Sequence, residues 1–384
     1  MRILTWTMGA MVGAWMLGGV GCGIAGPGDF GEDEDSVGSG AGSTGRPPVG
    51  SGGDPGSGAG GTTGAGNAGS GAMHPTTTGA GAGGTTGSGG STGSGGGSTG
   101  SGGSGGNGPN GCYTEGWDPN ASLADLESSY SSSQWLPTMV ELLNRRYHNG
   151  GWLLTQQQND PWLSSSFPGY FDLSNWYGFI ESIDTACHEE THGYDYDQAL
   201  SLNNQHLYYM GSNREVIAPK LGFFARNAIL SLVQAGGSVT SNYDSTYLTG
   251  TQGSYDFIAL ADELTAYING LACAVSVGDE IQAGPYGHSY RDGAASHLLY
   301  LLHYLKVART QYPNLYSQWQ ASSDWQTFVR FSWARGHFWT DESSPYSKLG
   351  INDAAIWQRI TDPANEVEIQ HFTGDPPAVV ACNP

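Results

Sequence analysis

Lysine is nearly missing from this chain. Only Lys220, Lys306 and Lys348 occur, against a formal charge of −21 over 384 residues. Binding to phosphate backbones needs a basic surface, so this balance excludes a nucleic-acid partner. The acidity itself reads as solubility in an extracellular or salty medium. A second lack is local. Residues 31–111 contain no Phe, Trp, Tyr, Leu or Ile and consist mostly of Gly, Ser, Thr and Ala. Such a segment cannot bury enough apolar surface to offset its ordering entropy, so residues 22–111 read as a disordered linker. As a random coil it would reach about 50 Å. The folded part is thereby confined to residues 112–384, enough for one large domain with a proper core. Cysteine is scarce as well, with five in the chain.

The first residues read as an export signal over 1–21. Arg2 is followed by an apolar, glycine-broken run from Ile3 to Val20, short for a membrane span and placed where a signal peptide lies. It ends in Leu17-Gly18-Gly19-Val20-Gly21-Cys22, which resembles a bacterial lipoprotein signal in which the cysteine is cut and lipidated, although Gly19 stands where Leu is usual. The resemblance implies a lipid anchor at the cell envelope or cell surface; the alternative is plain secretion. Five cysteines less a lipidated Cys22 leave an even four. Disulfides persist in exported chains. Of three connectivities, Cys112 with Cys382 and Cys187 with Cys273 is favoured, the first tying the domain's ends and the second bracing the stretch described next.

That stretch is Cys187–Asp197, CHEETHGYDYD, with His-Glu-x-x-His at His188, Glu189 and His192. On a helix, residues four apart share a face, so both imidazoles can aim at one metal ion. Glu189 follows the first imidazole, where its carboxylate can act as general base on water. The competing reading is a solvated helix surface with two ordinary histidines and Glu190 beside them. Catalytic zinc takes three protein ligands and keeps one open position. Ten residues after His188 stands Gln198, a poor zinc ligand, which removes the metzincin arrangement. Asp195 and Asp197 are near in sequence. Downstream, Asp262-Glu263-Leu264-Thr265-Ala266-Tyr267 offers Glu263 on an apolar helix.

Together these two segments resemble the gluzincin zinc metallopeptidases, whose second motif is a helix carrying a metal-binding Glu followed by Ala and a polar residue. Several of those families read Glu-x-x-Ala-Asp, and here Tyr267 replaces the Asp that orients a zinc-bound imidazole. The resemblance covers Cys187–Gly193 and Asp262–Gly270. It implies Zn2+ on His188, His192 and Glu263, Glu189 as general base, a zincin-like catalytic domain and a protein or peptide substrate. A donor for the developing oxyanion is also needed. His288 and Tyr290 are the first candidates, with Arg291 and His337 beside them. The opposing class is a surface-anchored module that binds polysaccharide or protein, with the metal non-catalytic or absent. A glycosidase pair at Asp262 and Glu263 is disfavoured, because adjacent helix residues point about 100° apart.

The fold class is mainly α, or α+β with a small sheet. Periodicity predicts helices over 137–148, stopped by Asn149-Gly150-Gly151, from 181–184 to 193, and over 215–234, 255–277, 292–309, 315–335 and 352–360. A short strand is expected at 176–180, loops over 238–254, and an interruption near Asn269-Gly270. Two buried roles are expected of the ten Trp in the domain, core and groove lining. His297 and His303 read as core or surface residues.

Overall fold

The computed structural model describes residues 113–377, apart from 212, 213 and 236. The signal segment, Cys22, the linker and the Cys112–Cys382 pairing lie outside the described residues. Within them the chain is mainly helical with one two-stranded sheet. The helices used below are α1 (Trp135–Arg146), α2 (His148–Gln156), α3 (Ile183–Ala199), α4 (Phe257–Ser276), α5 (Tyr290–Gln311) and α6 (Ser323–Glu342).

The fold is built around α4. Asp256 starts it, its carboxylate accepting from the Ile258 amide at 2.9 Å and so satisfying one of the orphan donors of a first turn. The helix is apolar nearly all round. With a mean hydropathy of 1.3 it is long and apolar enough to cross a membrane, yet 78% of that window is buried inside the domain, the signature of a core helix. Helices α3, α5 and α6 pack on it, as does the sheet. Aromatic residues close the far end: Phe257, Trp319, Trp325 and Phe328 form edge-on contacts. Trp319, Trp325 and Trp339 are fully buried, which gives them to the core.

Helices α3 and α4 run antiparallel. Cys187 joins Cys273, Thr191 meets Asn269, and His192 meets Asp262, so positions rise along one helix as they fall along the other. The expected break at Asn269-Gly270 does not occur. Gly270 is instead where the helices touch: a Cβ there would stand 3.1 Å from the Asp184 carbonyl oxygen and 3.4 Å from the His188 Cβ. Similarly Asn149-Gly150-Gly151, expected to stop a helix, lies inside α2. Gly150 lets the backbone approach the disulfide, since a Cβ would fall 2.7 Å from the Cys273 sulfur. The Cys187–Cys273 pairing thus stands, with Cα atoms 6.6 Å apart and both helices unbroken.

Other expectations are corrected. Residues 176–180 form a helix, Trp176–Glu181, begun by Asn175, whose side chain accepts from the Gly178 amide. The segment 215–234 is not one helix. Glu215–Pro219 is strand β2, paired antiparallel with β1 (Gln205–Tyr209), and only Leu230–Gln234 is α-helical. The reason is period two: Val216 and Ala218 are buried while Glu215 and Ile217 are exposed. Pro219 ends the strand, where its missing N–H is tolerated. Residues 238–254 contain two short helices, Ser241–Tyr247 and Gly250–Gly253. The stretch 315–335 divides at Ser322, whose hydroxyl caps α6.

Candidate metal centre

The antiparallel packing of α3 on α4 brings His188, His192 and Glu263 together. One ligand atom from each lies within 4.8 Å of the others, so the group can hold a metal ion. The two Nε2 atoms are 3.2 Å apart, and Oε2 of Glu263 stands 3.7 Å from His188 and 3.5 Å from His192. Tetrahedral bonds of 2.0–2.1 Å place ligand atoms about 3.3 Å from one another, so this triangle has the size such an ion requires. The donor set fits for a second reason. Oε2 of Glu263 is buried and accepts no hydrogen bond, an arrangement that is costly without a cation. His188 and Glu263 are buried, whereas His192 keeps partial exposure. Asp195 and Asp197 are not members. Asp195 is buried with one oxygen accepting from the Tyr209 amide at 2.7 Å, and Asp197 is exposed.

Asp262 completes the arrangement. Its Oδ2 lies 2.8 Å from Nδ1 of His192, which fixes that ring with Nδ1 as donor and turns Nε2 toward the group. His206, on β1, approaches the other oxygen at 3.9 Å. The carboxylate that holds this imidazole thus belongs to the residue preceding Glu263, not to position 267. Tyr267 does something else: its ring packs edge-on against His188, centroids 4.5 Å apart, and its hydroxyl pairs with that of Tyr247 at 2.8 Å.

Electrostatics follow from burial and from these pairs. Burial and the neighbouring His192 push the His188 pKa down to about 3, keeping the imidazole neutral and able to ligate. Burial would lower His192 too, but Asp262 outweighs it and holds the pKa well above the usual value. Burial raises Glu263 and Asp262, yet the imidazoles win at both, bringing Glu263 to about 2 and Asp262 below the ordinary carboxylate range. Both carboxylates are thus anions at neutral pH.

Glu189 is half-buried on α3 beside His188. Glu190, expected on the helix surface, is buried, and burial with the nearby Asp160 raises its pKa to about 9. His288 and Tyr290 stand at the N-terminal end of α3. Their rings stack with centroids 4.8 Å apart, the His288 Nε2 is 3.3 Å from a Glu181 carboxylate oxygen, and the Tyr290 hydroxyl donates to the Glu181 carbonyl at 2.9 Å. Neither makes a ring contact or hydrogen bond with His188, His192 or Glu263. Arg291 is engaged with Asp353 and Ser343, and His337 is held between the rings of Trp333 and Trp357. His297 is nearer than expected: fully buried, it stacks on Tyr267 with centroids 4.4 Å apart.

A buried network steadies the crossing from behind. Arg335 of α6 binds Glu115 through Nε at 2.8 Å and donates to the Asn269 side chain at 2.6 Å; Asn269 in turn donates to the Thr191 hydroxyl at 3.0 Å. The Tyr147 hydroxyl and Trp339 indole also donate to Glu115. No protein-family model, curated protein or solved structure matches the chain.

Proposed function

We propose that the chain is an exported zinc-dependent metallopeptidase, anchored at its N-terminus by lipid on Cys22. The observation that carries this reading is the ligand triangle of His188, His192 and Glu263 with Asp262 behind His192. Two imidazoles and one carboxylate suit zinc in a catalytic site, which keeps a coordination position open. A closed structural zinc would use four protein ligands, commonly cysteines; here the cysteine beside the group, Cys187, is committed to a disulfide. That buried disulfide also supports export, since such bonds persist in oxidising compartments.

When bound, the ion supplies Lewis acidity toward water and toward a peptide carbonyl oxygen. The chain's own residues do the rest. Glu189 takes a proton from the attacking water on its carboxylate and delivers it to the departing amine nitrogen. Asp262 accepts from Nδ1 of His192 and holds the ring with Nε2 toward the group, where metal binding would displace the Nε2 proton. His188 stays neutral through burial. Tyr267, packed on His188, limits how far that ring can turn.

Elemental analysis of the purified full-length chain tests the reading. About one zinc per chain is expected, lost in Glu263→Ala. Glu189→Gln should retain the zinc and lose cleavage of a quenched-fluorescent peptide library. A folded wild-type protein without bound metal after incubation with zinc overturns the proposal, and full activity in Glu189→Gln overturns the assignment of the base.

A further inference from the structure

Strand β1 brings a third imidazole to the surroundings of the metal group. Side chains alternate faces along a strand, so His206 and Tyr208 share one face of β1. Tyr208 is fully buried and packs on Phe328, ring centroids 4.7 Å apart; His206 lies beside Tyr208 at 4.8 Å. That face therefore looks into the domain. The strand is fixed there twice. Asp195 of α3 accepts from the Tyr209 amide at 2.7 Å, and β2 pairs with β1 along its length.

What His206 meets on α4 is Asp262. Its Nε2 lies 3.9 Å from Oδ1, while Oδ2 of the same carboxylate stands 2.8 Å from Nδ1 of His192. Asp262 is thus bracketed by two imidazoles, one to each oxygen. Both facing atoms, Nε2 of His206 and Oδ1 of Asp262, are buried, and neither has a hydrogen-bond partner. Their separation is too long for a direct hydrogen bond, but a single water can span it. Burial would raise the Asp262 pKa; His192 first, and His206 after it, outweigh burial and hold the carboxylate below its ordinary range. A carboxylate anchored through one oxygen can still swing about that contact. An anchor on the other oxygen fixes its plane.

We infer that His206 is a positioning residue of the metal centre: its Nε2–H steadies Oδ1 of Asp262 and, through Asp262, the orientation of His192. The tautomer follows from the pairing, because a bare Nε2 would set its lone pair against a carboxylate oxygen. The inference rests on the zinc reading of the group and extends it from α4 to the hairpin. Metal affinity then depends on strand β1, an element that offers the ion no ligand. Ring packing on Tyr208 is the competing role for His206, and it makes a different demand: any flat apolar ring would serve.

Zinc affinity of the full-length chain, measured by competition with a chromophoric chelator, separates these roles in variants whose folding is checked by thermal melting. His206→Phe keeps a ring on Tyr208 and removes the donor. It should weaken zinc binding by roughly three- to tenfold, less than the 10–100-fold that follows loss of a direct outer-shell partner. His206→Gln restores an N–H donor and should recover most of that loss. In an Asp262→Ala background, adding His206→Phe should change affinity by less than about twofold, because the histidine acts through the missing carboxylate. Wild-type affinity in His206→Phe overturns the inference, and so does an undiminished effect of His206→Phe in the Asp262→Ala background. A loss that His206→Gln shares in full overturns the donor role. Where His206→Phe does not fold, His206→Met takes its place with the same expectations. Wild type that takes up no zinc overturns the reading of the metal group and this role together. Zinc bound more weakly in Asp262→Ala but with unchanged affinity in His206→Phe overturns this role alone.

Discussion

Nδ1 of His192 lies 2.8 Å from Oδ2 of Asp262, which joins α3 to α4 through the one imidazole of the metal group that remains partly exposed. A carboxylate there determines which nitrogen of the ring is free. Replacing Asp262 with Asn keeps the shape but removes the charge and permits the amide to donate, favouring the wrong tautomer. Asp262→Asn should weaken zinc binding by about 10–100-fold, measured by competition with a chromophoric chelator. Unchanged affinity would mean that His192 is oriented by packing alone.

Gly270 weighs two opposing effects. Alanine in place of glycine favours a helix interior by about 1 kcal/mol. Here its Cβ would meet the Asp184 carbonyl oxygen at 3.1 Å, and overpacking of that kind costs about 1–3 kcal/mol. The clash should win, so Gly270→Ala is expected to lower stability to urea, and Gly270→Val to lower it further and to reduce zinc uptake. A stabilised Gly270→Ala would show that the two helices can separate without loss.

Cys187 and Cys273 are 86 positions apart, so their bond removes much freedom from the unfolded chain. Paired replacement by Ser should cost about 2–4 kcal/mol. Because Cys187 adjoins His188, the melting temperature and zinc content should fall together on reduction. Reduced protein with the stability of the oxidised form would contradict this.

Acid should unfold the domain earlier than its carboxylates alone would suggest. His303 and His337 are deep in the fold, and burial brings each to a pKa of about 4. Between the ordinary histidine value near 6.5 and about 4 the unfolded chain takes up protons that the folded chain refuses. Stability therefore holds above pH 6.5 and declines as pH falls through this window, by about 1.4 kcal/mol per pH unit for each such group. Neither ring nitrogen of His303 has a hydrogen-bond partner, so His303→Leu should fold and should flatten the decline. Denaturant midpoints at pH 7, 6, 5 and 4 for both proteins check this; parallel curves would rule His303 out.

Much of this centre was legible in residue spacing. His188 and His192 declare themselves by their separation on a helix, and Glu263 by being an acid within an apolar stretch. Asp262 was visible but unassigned, because which neighbour of Glu263 faces His192 depends on how two helices cross. His297 could not be placed that way, because its neighbours on α5, Leu298, Leu299, Tyr300 and Leu301, are all buried and one imidazole among them passes as core. The strand at Glu215–Pro219 was hidden by Pro219, which suits a helix start as readily as a strand end. The glycines misled for a related reason: at 150, 151 and 270 they serve close approach between elements, a property of the partner surface and not of the local chain.

Glu115 and Arg335 are 220 positions apart. The carboxylate that neutralises the guanidinium comes from the first few described residues, and the guanidinium from a helix near the other end, with Asn269 and Thr191 between them and the metal group. In order along the chain, Arg335 comes last of these groups. A chain emerging from its N-terminus has His188, His192 and Glu263 in hand long before Arg335 arrives, but until then Glu115 has no cation and Asn269 no donor to hold it toward α3. Nearly the whole domain must therefore exist before Arg335 adds its support to a crossing already tied by the Cys187–Cys273 bond, and a product ending before α6 would carry every ligand without that support.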